Sequence, residues 1–253
     1  MSPMQATNLG AVRTIGDGVA TLRWRALRPP VFFAWAAILL LTVALAFVGD
    51  APIDAWVRAN PDSQWKPLAW FVTRYGEWYF LLAAALVAWG AAVWWKQGRL
   101  ETLALAMALT CGATGATATL IRSVTGRTRP NAATAQGWYG MHHSGRWNIG
   151  RSEFNSFPSG HVGAAVGFVM PLILGTRRGR WLGVGFGLAM GWARVFTGYH
   201  HLSDVVVATI IGVAGGWLIW RRMESRLPAS LATGPRSGFS PLARTRATGG
   251  TPK

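Results

Sequence analysis

Acidic residues are scarce in this chain of 253 residues: 9 Asp and Glu stand against 25 Lys and Arg, and charged residues of both signs make up only 13%. With 51% hydrophobic residues and 15 Trp, that is too little charge for an ordinary soluble domain. Cysteine occurs once, as Cys111 inside an apolar run. A lone cysteine excludes a disulfide framework and a thiol pair for redox work, and leaves a packing role. Internal repeats are absent. A cleavable secretion signal is not expected either: about 30 residues precede the first apolar run, and no small-residue cleavage pattern follows it. The first run is therefore expected to stay as an anchor.

What the chain does have is long apolar runs. They extend over Val31 to Val48, Trp78 to Trp95, Thr102 to Ile121, Phe157 to Gly175, Trp181 to Thr197 and Val205 to Trp220. Each comes close to the ~17 to 25 residues that a helix needs to cross a bilayer. Small residues are scattered through them, as in "TCGATGATATLI", which suits close helix contacts in lipid. The expected fold is all-α, a polytopic membrane protein with six transmembrane helices in one bundle. Residues 31–222 would form that domain, residues 1–30 a cytoplasmic N-terminal segment, and residues 223–253 a disordered, basic cytoplasmic tail. With both termini in the cytoplasm, the inner segments hold most of the Lys and Arg and few of the acids, as the positive-inside rule requires. Trp78, Trp94, Trp95, Trp217 and Trp220 sit at span ends as interface anchors. A net charge of +16 would otherwise point to nucleic acid, but the basic residues are divided among short loops and two tails. Membrane surface and orientation explain them better, and no nucleic-acid partner is expected.

On this topology the five histidines, His142, His143, His161, His200 and His201, fall on the outer side. Beside them lie Arg122, Arg127 and Arg129 in "IRSVTGRTRP" and Arg194 in "ARVFTGYHHLSD". Arg122 and Arg194 stand at the ends of apolar spans, where an ionisable group is costly and a functional site is the default reading. Arginines present planar charged forks that match phosphate oxygens, so several converging on one place imply a phosphoryl group. "PSGH" (Pro158 to His161) can open a helix whose Ser159 hydroxyl and Gly160 N–H meet the same oxygens, with His161 on the first turn to give a proton. His200 and Asp204 are four apart, so the carboxylate can hold one imidazole nitrogen and aim the other at phosphorus.

The blocks "R-x6-RP" (Arg122 to Pro130), "PSGH" and "R-x5-H-x3-D" (Arg194 to Asp204), in this order, resemble the signature of the type 2 phosphatidic acid phosphatase superfamily. The resemblance implies a six-span lipid phosphatase with an outward site. His200, oriented by Asp204, would attack phosphorus to give a phosphohistidine, and His161 would protonate the leaving oxygen. Arg122, Arg129, Arg194, Ser159 and Gly160 would bind the phosphate; no metal or other cofactor is implied. This sequence departs from the pattern at Arg122, usually Lys, and at Ala193, usually Ser.

Other positions stay open. Arg127 is either a phosphate contact or an interfacial charge. His201 packs or meets water, and His142 and His143 are loop residues. The stretch around Thr73, Gly76 and Trp78 is read as a lip over the site. A metal-dependent hydrolase would want carboxylates, and near the site the sequence offers Asp204 and Glu153. A transporter of phosphorylated solutes would show repeat symmetry, and a lipid phosphotransferase would share the same site. The expected partner is a phospholipid or polyprenyl phosphate in a bacterial-type inner membrane, with the site facing the periplasm. Undecaprenyl diphosphate, phosphatidylglycerol phosphate, phosphatidic acid and a lipid A phosphate all fit. The oligomeric state is not encoded in these patterns.

Overall fold

The computed structural model describes residues 29–225, with side chains from Phe32 onward. Of the expected cytoplasmic N-terminal segment (residues 1–30) and basic tail (residues 223–253), residues 1–28 and 226–253 lie outside the described residues. The chain divides at Leu41 into two units. In the first, the described part is the apolar start of helix α1 (Pro29–Ala59), with Phe32, Phe33, Trp35 and Leu40 exposed.

In the second unit α1 continues well past the apolar run that ends at Val48. Its buried face there is Ala46, Asp50, Asp54 and Val57, spaced to lie on one side of a helix. A short helix not anticipated from the sequence follows, α2 (Lys66–Tyr75), with Pro67 in its first turn where the missing N–H costs nothing. The Lys66 ammonium lies 2.9 Å from the carbonyl of Phe196, at the end of a helix where cations are favoured. Gly76 ends α2, and the chain bends by 50° into α3 (Trp78–Trp94). After α4 (Gly98–Thr125), Gly126 adopts φ 59°, and a Cβ there would run into the carbonyl of Gly140. The chain then crosses an irregular segment with one small hairpin, β1 (His142–His143) against β2 (Arg146–Trp147).

Helix α5 (Gly160–Gly175) is the centre of the unit. It packs against α3, α4, α6 (Gly179–Phe196) and α7 (Leu202–Glu224). Small residues make this possible: Gly163, Ala164, Ala165 and Gly167 are all buried. The Thr114 hydroxyl of α4 donates to the Gly163 carbonyl at 2.8 Å, and a side chain at Gly167 would collide with that hydroxyl.

The all-α expectation is met apart from the hairpin. Three described helices are long and apolar enough to cross a membrane: α1 from Phe32, α4 and α7; the bent pair α2 and α3 makes four if it is one span. The other two expected spans fall short of that measure. Helix α5 has 16 residues, about 24 Å at 1.5 Å per residue. Helix α6 is continuous over 18 residues, but Arg180, Arg194 and the glycines at 183, 185, 187 and 191 lower its mean hydropathy. The outer faces are apolar, with Val87, Trp94, Leu120, Trp181 and Leu188 exposed, as a bilayer-facing surface requires.

Replacing Gly126 with Ala should destabilise the protein by about 1–2 kcal/mol from backbone strain alone, and further through the Gly140 collision. Gly145, at φ 76° with open space around it, is the comparison. In detergent melts, Gly126→Ala should lower the midpoint more than Gly145→Ala.

Candidate active site

The N-terminus of α5 carries the first part of the site. Ser159 is its extended N-cap: its hydroxyl accepts from the Val162 N–H at 3.5 Å, and its own N–H donates to the Asp204 carbonyl at 3.2 Å. That second bond brings the starts of α5 and α7 together. At Gly160 a Cβ would stand 2.9 Å from Nη1 of Arg122, so glycine lets the guanidinium at the end of α4 lie against the turn. Gly160 and His161 open the helix, and their N–H groups have no acceptor one turn earlier.

Two more arginines converge here. The guanidiniums of Arg129, in the loop after α4, and Arg194, in the last turn of α6, lie over the Tyr199 ring at 5.2 and 4.9 Å. Among the described residues, Arg122, Arg129 and Arg194 form no ion pair with a carboxylate. Among the described residues the buried Nε atoms of Arg129 and Arg194 have no hydrogen-bond partner. Burial first, and then the charge of Arg122, hold the Arg129 guanidinium below its ordinary value. Desolvated cations that repel one another gain most from an anion placed between them.

His200 is fully buried in the short connection between α6 and α7. Its Nδ1 lies 2.8 Å from the Ser156 carbonyl, with a carboxylate oxygen of Asp204 further off at 3.4 Å. A carbonyl only accepts, so Nδ1 carries the hydrogen and the lone pair is on Nε2. That Nε2 is buried without a partner among the described residues. Burial lowers the imidazole to about 3; Asp204 opposes this, and Arg194 and Arg129 reinforce it. His200 is thus a neutral imidazole with a free lone pair across the physiological range.

Asp204, in the first turn of α7, is wholly buried and serves several donors at once. Oδ1 receives Nη1 of Arg127 at 2.6 Å; Oδ2 receives the Ser156 hydroxyl at 2.5 Å and the His201 N–H at 2.9 Å. Arg127 also reaches Asp50 at 2.7 Å and the Ser203 hydroxyl at 2.6 Å, under the rings of Phe47, Trp138 and Phe157. Asp50 in turn accepts the Ser203 N–H at 2.8 Å and its hydroxyl at 2.6 Å, capping α7 from another helix. His201 is held at both nitrogens, by Asp54 at 2.6 Å and the Thr128 carbonyl at 3.0 Å. Burial disfavours its charge, yet the Asp54 bond and the charge of Asp204 outweigh that and raise it above the ordinary value.

His161 meets a carboxylate as well: its Nε2 lies 3.0 Å from Oε2 of Glu77, the N-cap of α3. Beside it a cleft of about 430 Å³ runs along α4 from Cys111 to Arg122, walled by Trp78, Gly115, Ala116 and Gly160.

The sequence model of the PAP2 superfamily matches residues 102–228, half of the chain. The chain belongs to the PAP2 superfamily. It is 29% identical over 211 residues to a lipid A 1-phosphatase of Rhizobium johnstonii, with 79% of this chain and 81% of the relative covered. A lipid A 1-phosphatase of Rhizobium etli is 29% identical over 204 residues, covering 75% and 83% respectively. Undecaprenyl-diphosphatase BcrC of Bacillus subtilis is 32% identical over 66 residues, 26% of this chain and 34% of the relative. No solved structure matches significantly.

The geometry brings together all eight residues singled out from the PAP2-type blocks: Arg122, Arg129, Ser159, Gly160, His161, Arg194, His200 and Asp204. Arg127 is bound between two carboxylates, not left open to phosphate, and His201 is bound at both nitrogens. His142 and His143 pack in the hairpin, against Trp147 and Tyr139. The count of nearby carboxylates needs correction. Glu153 is engaged outside the cluster with Thr134 and Arg151, whereas Asp50, Asp54 and Glu77 are at it. Each of these three is bound to one Arg or His, and among the described residues no group of three or more His, Cys, Asp or Glu is placed to hold a metal ion. One signal for Asp50 and Asp54 was available: two acids four apart just beyond an apolar run. Glu77 and Ser156 had none. Of the expected lip, Thr73 is buried within α2 and Trp78 walls the cleft.

Arg127→Met leaves two buried carboxylates unpaired and should cost about 3–5 kcal/mol, read as a lower melting midpoint in detergent. His201 gives a pH signature. Folding raises it above its ordinary 6.5, so its stabilisation is complete below that value and is lost as pH rises through the folded value. Stability of the wild type should fall on the alkaline side of 6.5, and His201→Gln should flatten that slope.

Proposed function

We propose that the protein is an integral-membrane lipid phosphatase that hydrolyses a phosphate or diphosphate monoester of a lipid through a phosphohistidine on His200. The observation that supports this most is the partnerless Nε2 of neutral His200, in a site with three guanidiniums that no carboxylate neutralises. A nucleophile and an anion receptor in one place are the parts that phosphoryl transfer needs.

Nε2 of His200 attacks phosphorus; the P–N bond forms as the bond to the lipid oxygen breaks, and His161 gives that oxygen its proton. Water then attacks the phosphohistidine and loses a proton to His161, the P–N bond breaks, and inorganic phosphate leaves. Arg122, Arg129, Arg194, the Ser159 hydroxyl and the Gly160 N–H stabilise the equatorial oxygens. Ser156 and Asp204 keep Nδ1 protonated, so the lone pair stays on the attacking nitrogen.

Lipid as the substrate class is supported by the apolar cleft that reaches Arg122 and His161, and by relatives named for lipid A and undecaprenyl diphosphate. In this reading residues 31–222 form a six-helix domain, with α5 and α6 crossing as short spans, and the site faces the periplasm of an inner membrane. In this reading turnover needs no metal, because the carboxylates at the site, Asp50, Asp54, Glu77 and Asp204, are each paired with an Arg or His.

Purified protein should release phosphate from at least one of undecaprenyl diphosphate, phosphatidylglycerol phosphate, phosphatidic acid and lipid A, with full activity in chelator. His200→Ala should reduce the rate on the order of a thousandfold or more. With 4-nitrophenyl phosphate, whose leaving group needs no proton, His161→Ala should still form the phosphohistidine but hydrolyse it slowly, so that acid-labile phosphoprotein can be trapped. A His200→Ala protein that kept its turnover would overturn the covalent route.

A further inference from the structure

We propose that Glu77 is the positioning residue of the proton donor: it accepts the Nε2–H of His161 and thereby assigns the exchangeable proton to Nδ1. The inference rests on the phosphatase reading above and deepens it.

Glu77 stands outside the three blocks, at the N-cap of α3, with backbone angles of φ −61° and ψ 139° that keep it out of the helix. Its Oε2 is 3.0 Å from Nε2 of His161, and both side chains are mostly buried, at 24% and 19% exposure. An ionised carboxylate only accepts, so the hydrogen between them belongs to Nε2. Among the described residues Nδ1 of His161 makes no hydrogen bond. The charged groups facing His161 are Glu77 of α3, Arg122 of α4 and Arg194 of α6, and Cys111 of α4 lines the same cleft. Two guanidiniums beside an imidazole oppose the protonated ring that a proton donor needs, and Glu77 is the one anion among those neighbours. Across the cycle Nε2–H stays on Glu77. Nδ1 gives its proton to the leaving lipid oxygen as that bond to phosphorus breaks, and takes one back from the attacking water.

The test compares leaving groups. Dodecyl phosphate expels an alkoxide that must be protonated, whereas 4-nitrophenyl phosphate expels a phenolate that need not be. E77Q keeps the shape and removes the charge. It should lose on the order of tenfold or more in kcat on dodecyl phosphate with little change in KM, and much less on 4-nitrophenyl phosphate. The alkaline limb of its kcat profile on dodecyl phosphate should move to lower pH, and E77D should recover part of the loss. Equal losses on both substrates, or none, would overturn the proposal. H161A run in parallel separates the two readings. If H161A shows the leaving-group dependence and E77Q does not, Glu77 fails alone; if H161A shows none, the role of His161 in the proposed function fails as well. Should E77Q not purify as a monodisperse protein, E77D against wild type on the same two substrates decides.

Discussion

Burying the Asp204 carboxylate is the constraint around which the rest of the site is organised. A charge removed from water this completely is tolerated only where donors replace its hydration. Here they come from three directions: the Arg127 guanidinium, the Ser156 hydroxyl and the His201 N–H. Each fixes a different piece of chain. Arg127 ties down the segment after α4, Ser156 the approach to α5, and His201 the start of α7. The Ser156 bond matters most for chemistry, because the carbonyl of the same residue holds Nδ1 of His200. Charge neutralisation and tautomer selection are thereby joined at one residue.

A second consequence concerns α1. Arg127 carries one positive charge but faces two carboxylates, Asp50 as well as Asp204. The excess is met by α7, whose buried N-terminal N–H and Ser203 hydroxyl bind Asp50, while a third carboxylate, Asp54 one turn further along α1, is paired with His201. The polar end of α1 is therefore fastened to the start of α7 by three polar contacts. Hydrogen-bonded partners in fixed geometry specify one register between the helices, where an apolar contact would tolerate slippage.

These relations explain which parts were legible in advance. The three blocks were, because each is local: a turn that opens a helix, an arginine at a span end, a histidine and an aspartate one turn apart. The helices were legible from apolar runs, except where function changed their character. Helix α1 outlasts its run because the continuation buries carboxylates on a face that hydropathy scores as polar. Helix α2 is short and half-exposed and left no apolar run to read, whereas α6 followed its run despite four glycines. Asp50, Asp54 and Glu77 belong to the site by long-range pairing, at separations of 153, 147 and 84 residues from their partners. No local pattern encodes such a distance. Arg127 was ambiguous for the same reason: a guanidinium close to other guanidiniums looks like a phosphate ligand until its carboxylates are placed.

The three imidazoles of the cluster show how one side chain is given separate tasks. His200 and His201 are adjacent in sequence and both buried, yet one is held at about 3 and the other above 6.5. His200 is the more completely buried, which disfavours its charge first, and the acceptors differ as well. A neutral carbonyl holds the first at Nδ1 and leaves Nε2 open among arginines, which favours the uncharged ring. The second has a carboxylate at one nitrogen and a carbonyl at the other, so both must donate and the ring is charged. His161 combines features of the two, with a carboxylate on Nε2 and no partner on Nδ1 among the described residues. In the proposed cycle His161 both gives and takes a proton, and this intermediate arrangement suits that role, since a ring held at both nitrogens cannot transfer one and a ring without a carboxylate would not keep one beside Arg122 and Arg194. The division of labour among the three histidines follows from which acceptors the fold supplies to each.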